Sequence, residues 1–151
     1  MPDIKKILCA VDLSDHSKAV AEYAAMFAKA FDAEITVLYA APSLSQYVGF
    51  HVPPSSIENF VGEIISGAEK SMEVFVAEHF SGLKATGKII SGYAAQEILN
   101  YAAANAMDVI IMGTHGRTGI DRILFGSVAE KVVKAADIPV MTVRPKAAPA
   151  E

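Results

Sequence analysis

The sequence predicts an α/β domain: a doubly wound, five-stranded parallel sheet of order 3-2-1-4-5 with helices on both faces. Three observations carry this expectation. Short continuous apolar runs recur and end in polar or glycine-rich segments, as strands buried on both faces do. Between them lie stretches with apolar residues spaced at three and four, the stripe of a helix that covers a sheet. The two patterns alternate along the whole chain, as right-handed crossovers between parallel strands require.

Ile7-Leu-Cys-Ala-Val11 is the first run, and it stops at the polar group Asp12-Leu-Ser-Asp15. Val20, Tyr23, Ala24, Phe27, Ala28 and Phe31 follow at helical spacing, with Ser14 and Asp15 offering side-chain oxygens to cap the start. Ile35-Thr-Val-Leu-Tyr-Ala40 is rich in β-branched residues and predicts the second strand. After a looser stretch from Ala41 to Pro54, apolar residues from Ile57 and Phe60 through Met72, Phe75 and Val76 predict a long helix. Gly62 and Gly67 weaken it by roughly 1 kcal/mol each relative to Ala, and Gly82 marks its stop.

Lys88-Ile-Ile-Ser91, with a few residues before it, predicts the third strand, and Gly92 precedes a helix holding Ile98, Leu99 and Ala102. Asp108-Val-Ile-Ile-Met112 is the fourth strand and runs into Gly113. A glycine-spaced loop then leads to Gly126-Ser127, where a helix with Val128, Val132 and Val133 begins. Ile138-Pro-Val-Met-Thr-Val143 completes the sheet, and Pro139 suits an edge strand because it cannot donate to a neighbour.

Composition bounds the function classes. The 151 residues fit one domain, expected over 1–145, with 146–151 as a flexible tail. A formal net charge of -4 argues against nucleic-acid binding, which needs clustered Lys and Arg. No run approaches the roughly 20 apolar residues of a membrane helix. The apolar run after Lys5-Lys6 breaks at Asp12, too soon for a signal peptide, so a cytoplasmic protein is expected. Cys9 is the single cysteine, excludes an intramolecular disulfide, and reads as a small buried hydrophobe.

In a doubly wound sheet, ligands bind beyond the carboxyl ends of the strands where the strand order reverses. The loops after strands 1 and 4 meet there, and they carry Asp12 and Gly113-Thr-His-Gly116. Glycines let a backbone approach a ligand closely, and the helix opening at Gly126-Ser127 has free N–H groups suited to a phosphate. The same glycine spacing also fits a long turn. There is no Gly-Lys-Ser/Thr of a Walker loop, and no Gly-x-Gly-x-x-Gly follows the first strand.

Asp12 fits either ligand contact or a turn carboxylate that caps the first helix. Arg117 fits either a phosphate partner or a solvated cation, while His115 lacks a carboxylate partner in the sequence and is assigned no catalytic role. His16, His51 and His79 do not have metal-ligand spacing. A receiver domain would need an acidic pair after strand 1 and an aspartate after strand 3, where Ser91-Gly92 stands instead. A flavin-binding module on a similar sheet remains a competing class.

Three segments together resemble the universal stress protein family, in its ATP-binding branch. They are Ile7-Leu-Cys-Ala-Val-Asp-Leu-Ser14, then Gly113-x-x-Gly116 followed after nine residues by Gly126-Ser127, and Ile138-Pro-Val-Met-Thr-Val143. The segment from about Ala41 to Phe80 carries no such signature. The resemblance implies that Ala10, Val11 and Asp12 border adenosine, with Asp12 accepting hydrogen bonds from the ribose. It implies that Ala40 lines the adenine slot, that Met112 and Gly113 touch the adenosine, and that Gly116, Gly126, Ser127 and Val128 surround the phosphates.

ATP, with Mg or Mn as its companion cation, is the implied ligand. Ala129 departs from relatives that carry a hydroxyl residue there. The resemblance also implies a homodimer through the last strand and a nucleotide-responsive signalling role toward an unknown protein partner. Slow ATP hydrolysis or phosphoryl transfer is the alternative, with Arg117 and Arg122 as the loop's only cations.

Overall fold

Alternation along the buried strands sorts their side chains between two cores, one on each face of the sheet. The computed structural model describes residues 2–41, 54–114 and 126–144. Strands β1 (Lys6–Ala10), β2 (Glu34–Ala41), β3 (Ala85–Ser91), β4 (Val109–Gly113) and β5 (Val140–Val143) are all parallel, in the order β3-β2-β1-β4-β5. Helices α1 (Ser17–Phe31) and α2 (Pro54–His79) cover one face, and α3 (Ala94–Ala104) and α4 (Ser127–Ala135) cover the other.

Ile7, Cys9, Ile35, Val37 and Ile111 point toward α1 and α2, whereas Leu8, Ala10, Leu38, Ile110 and Met112 point toward α3 and α4. Cys9 is completely buried, and burial pushes its thiol up to about 12. It therefore stays protonated and unreactive near neutral pH.

The helices depart from the expected patterns in informative ways. The buried stripe of α1 is Ser17, Val20, Ala21, Ala24 and Ala28, while Tyr23 and Phe31 stand more than two-fifths exposed. Small residues let the helix lie close to the sheet, and the larger aromatic residues flank the contact. His16, not Ser14 or Asp15, occupies the position before α1, and no side chain caps the helix there. Phe60, expected on the apolar face of α2, is half exposed.

Helix ends close through the backbone. Asp32 adopts a left-handed conformation, and the N–H of Ala33 donates to the carbonyl of Ala28 at 3.0 Å. Ala106, also at positive φ, is followed by the same kind of closure from Met107 N–H to the carbonyl of Ala102 at 3.0 Å. At the amino end of the sheet, Oδ2 of Asp108 accepts the N–H groups of Lys5 and Lys6 at 2.9 and 2.8 Å. That carboxylate ties the start of β1 to the start of β4.

Two glycine environments in this half of the fold are opposites. Gly62 and Gly67 lie within α2 with open space around a would-be Cβ, whereas a Cβ on Gly87 of β3 would sit 2.5 Å from Cγ of Met72. The Ala41–Pro54 loop and the 146–151 tail fall outside the described residues but for the loop's two end residues. Among the described residues, no helix is long and apolar enough to cross a membrane.

Gly62→Ala and Gly67→Ala are expected to raise unfolding free energy by about 0.5–1 kcal/mol each. Gly87→Ala is expected to lower it by about 1–3 kcal/mol, because Met72 is buried and must shift. Chemical denaturation of the three variants checks both signs.

Candidate functional site

The carboxyl ends of β1 and β4 lie side by side, with Ala10 of β1 in register with Met112 of β4 and with Leu38 of β2. This is the point where the chain order reverses. From here β1 continues into α1, and β4 runs toward α4.

Val11 extends β1 by one bond, donating its N–H to the carbonyl of Leu38 at 2.9 Å. Asp12 then organises the turn. Its Oδ1 accepts the N–H of Ser14 at 3.0 Å, the hydroxyl of Ser14 at 2.5 Å and the hydroxyl of Ser17 at 3.0 Å. Ser17 is buried, and its own N–H donates to the carbonyl of Ser14 at 3.0 Å. Leu13 between them takes a positive φ of 60°, a costly conformation for a branched residue that the surrounding bonds hold in place. Asp12 is thus partly sequestered, and one of its oxygens orders the chain entering α1.

After β4, the N–H of Thr114 donates to the carbonyl of Val143 at 3.0 Å, continuing the pairing with β5. The carbonyl of Thr114 accepts the N–H of Gly126 at 2.6 Å. The two ends of the glycine-spaced segment are therefore joined at its base. Gly126 occupies the position before α4 in an extended conformation, and as a glycine it brings no side chain to cap the helix. The first N–H groups of a helix have no partner within it, and those of Ser127, Val128 and Ala129 lie at the carboxyl end of the sheet.

Ser127 is exposed, Val128 half-buried and Ala129 buried in the α3–α4 core. The Ala129 methyl is a packing group here. Further along α4, Lys134 hydrogen-bonds Glu130 at 2.8 Å, which holds the Glu130 carboxyl below its ordinary range.

The expected adenosine residues divide by face. Ala10 and Met112 belong to the α3–α4 core, and Ala40 lies in register with Ile90, which packs on that same core. Val11 packs against the α1–α2 core, so its side chain lies on the opposite face from these residues. Gly113 ends β4 beside Val143. Gly116, Arg117, His115 and Arg122 lie outside the described residues.

Ser17 and Thr114 were not singled out by the sequence. Ser17 stands five residues after Asp12, and only the folded turn brings the two together. A third unanticipated feature is the turn after β3. Gly92 has a φ of +149°, its N–H donates to the carbonyl of Ala41 at 2.9 Å, and a Cβ there would meet Oε1 of Glu97 at 2.6 Å. That position admits only glycine without strain. Among the described residues, no group of three or more His, Cys, Asp or Glu side chains converges as a metal site.

Universal stress protein MJ0531 of Methanocaldococcus jannaschii is 37% identical over 142 residues, covering 93% of this chain and 82% of that protein. The solved structure of MJ0577, also from Methanocaldococcus jannaschii, matches with a TM-score of 0.84 at 28% identity, covering 95% of this chain and 98% of that one. The universal stress protein of Archaeoglobus fulgidus, solved in complex with dAMP, shares the fold with a TM-score of 0.66 at 20% identity, covering 94% and 98% of the two chains. Residues 3–144 match the universal stress protein family as a whole, and the chain belongs to that family.

Proposed function

We propose that the chain binds ATP across the carboxyl ends of β1 and β4 and acts as a nucleotide-responsive binding and signalling module. The observation that carries this reading is the amino end of α4, opened by Gly126 and following the strand next to the Asp12 turn. Such a helix end attracts anions through its free N–H groups and its dipole. The family membership and the dAMP complex on the same fold support a nucleotide as that anion.

In this reading the N–H groups of Ser127 and Val128 and the Ser127 hydroxyl hold the phosphates, joined by Gly126 and by Gly116 and Arg117 of the intervening segment. A Mg or Mn ion arriving with the nucleotide would neutralise phosphate charge and would draw few ligands from the protein. Asp12 accepts the ribose hydroxyls while Ser14 and Ser17 fix its orientation. Ala10, Ala40 and Met112 offer adenine an apolar surface, and Val11 and Gly113 contribute main chain.

Calorimetric titration with ATP tests the site. Gly116→Val and Asp12→Asn are each expected to weaken binding at least tenfold, about 1.4 kcal/mol. At a hundredfold excess over Kd, ATP is expected to stabilise the wild type by about 2.7 kcal/mol. Absence of wild-type binding, or equal affinity in both variants, overturns the proposal.

We also propose a two-fold homodimer through β5. Ile110 N–H donates to the carbonyl of Pro139 at 3.0 Å and Thr114 N–H to that of Val143, so alternate residues of β5 face β4. Val140 and Thr142 therefore turn their N–H and C=O groups to the open edge, where a second copy can pair. Light scattering at micromolar concentration is expected to give a dimer for the wild type and a monomer for Thr142→Pro. A wild-type monomer refutes the dimer.

A further inference from the structure

The opposite edge of the sheet presents a second set of outward backbone groups, beside a groove remote from the carboxyl-end crevice. Hydrogen bonds at the two ends of β3 establish its orientation. Ile35 N–H donates to the carbonyl of Lys84 at 2.8 Å, and Gly92 N–H donates to that of Ala41 at 2.9 Å. In a parallel pair, alternate residues face the neighbour. The even-numbered residues of β3 thus face β2, and Gly87 and Ile89 turn their N–H and C=O groups outward.

Side chains at these two positions lie on the α2 side, since Ile89 packs on the α1–α2 core and Ile90 on the α3–α4 core. An open groove of about 490 Å³ runs between this edge and α2. Met72, Val76, Gly87 and Ile89 form its base, and Glu69 and Glu73 stand along its α2 side. Met72 packs directly on Gly87, whose backbone is otherwise exposed along the edge. Glu69 and Glu73 are exposed and make no ion pair among the described residues. Lys88 also borders the groove, but strand alternation sends its side chain to the other face.

We propose that this groove receives an extended segment of a partner protein as an added strand, with Lys or Arg side chains on the α2 side. Main-chain pairing to Gly87 and Ile89 supplies the binding, and the two carboxylates supply the selectivity. The spacings agree. Residues one turn apart on a helix are about 6 Å apart along its axis, and alternate residues of a strand are about 6.6 Å apart. Successive basic side chains on one face of the added strand therefore meet Glu69 and Glu73 in turn. A second copy of this chain docking by the same edge would bring the two carboxylate pairs together, which disfavours it.

The test uses the full chain and a synthetic peptide of about seven residues, the length of an ordinary strand, alternating Lys and Val. Titration followed by amide NMR is expected to shift the Gly87 and Ile89 resonances. A Glu–Val peptide is expected to bind at least tenfold more weakly. The Glu69→Lys/Glu73→Lys double variant, changed only at exposed positions, is expected to lose at least tenfold for the Lys–Val peptide with an unaltered thermal midpoint. Methylation of the peptide's alternate backbone nitrogens is expected to abolish binding. Absence of binding, shifts confined to other surfaces, equal affinity for both peptides, or binding that survives charge reversal or methylation each overturn the proposal. Self-association through β3 in the absence of peptide overturns it as well, because the edge is then occupied by a second copy.

Discussion

The pairing of β1 with β4 is the contact on which the rest of the molecule depends. Moving from β1 through β2 to β3, right-handed crossovers place α1 and α2 on one face. The chain then returns past β1 to build β4 and β5, and the same handedness puts α3 and α4 on the other face. The reversal leaves the carboxyl ends of β1 and β4 adjacent while their connections depart to opposite faces. Asp108 holds this pairing at the far end through two backbone N–H groups and so helps to keep Ala10 opposite Met112.

Close approach of helices to the sheet depends on small residues placed where large ones would have matched the same periodicity. Ala21, Ala24 and Ala28 do this for α1, and Ala129 does it for the first turn of α4. Gly87 plays the corresponding part from the strand side, receiving Met72 of α2. In α4 the buried Ala129 methyl anchors the first turn of the helix at the carboxyl end of the sheet.

The strands and their order were legible because both faces of the sheet are covered, and double burial makes apolar runs such as Ile7–Val11 and Val109–Met112 conspicuous. β3 was legible only in its second half, since Thr86, Gly87 and Lys88 lie on an exposed edge and carry no apolar signal. The α1 stripe was drawn through Tyr23 and Phe31 because hydrophobicity weights large residues, whereas close packing selected the alanines. Ser14 and Asp15 looked like caps, but the nearby Asp12 carboxylate competes for the same turn and claims the Ser14 N–H and hydroxyl. Among the proposed site residues, Asp12 and Gly126 stood out by their places after a strand and before a helix. Ser17 and Thr114 were not, because their roles arise from contacts that only the folded turns create. Val11, which the family resemblance sets beside Ala10 at the adenosine, turns its side chain to the opposite face of the sheet.

The bond from Gly126 to Thr114 separates two properties that usually vary together in loops. With its ends joined at the base, the segment between them can change length or composition without moving the amino end of α4. Loop closure costs rise only slowly with length, about 0.6 kcal/mol per doubling. Changes between these two ends that spare Gly116 and Arg117 therefore leave the first turn of α4 beside the end of β4.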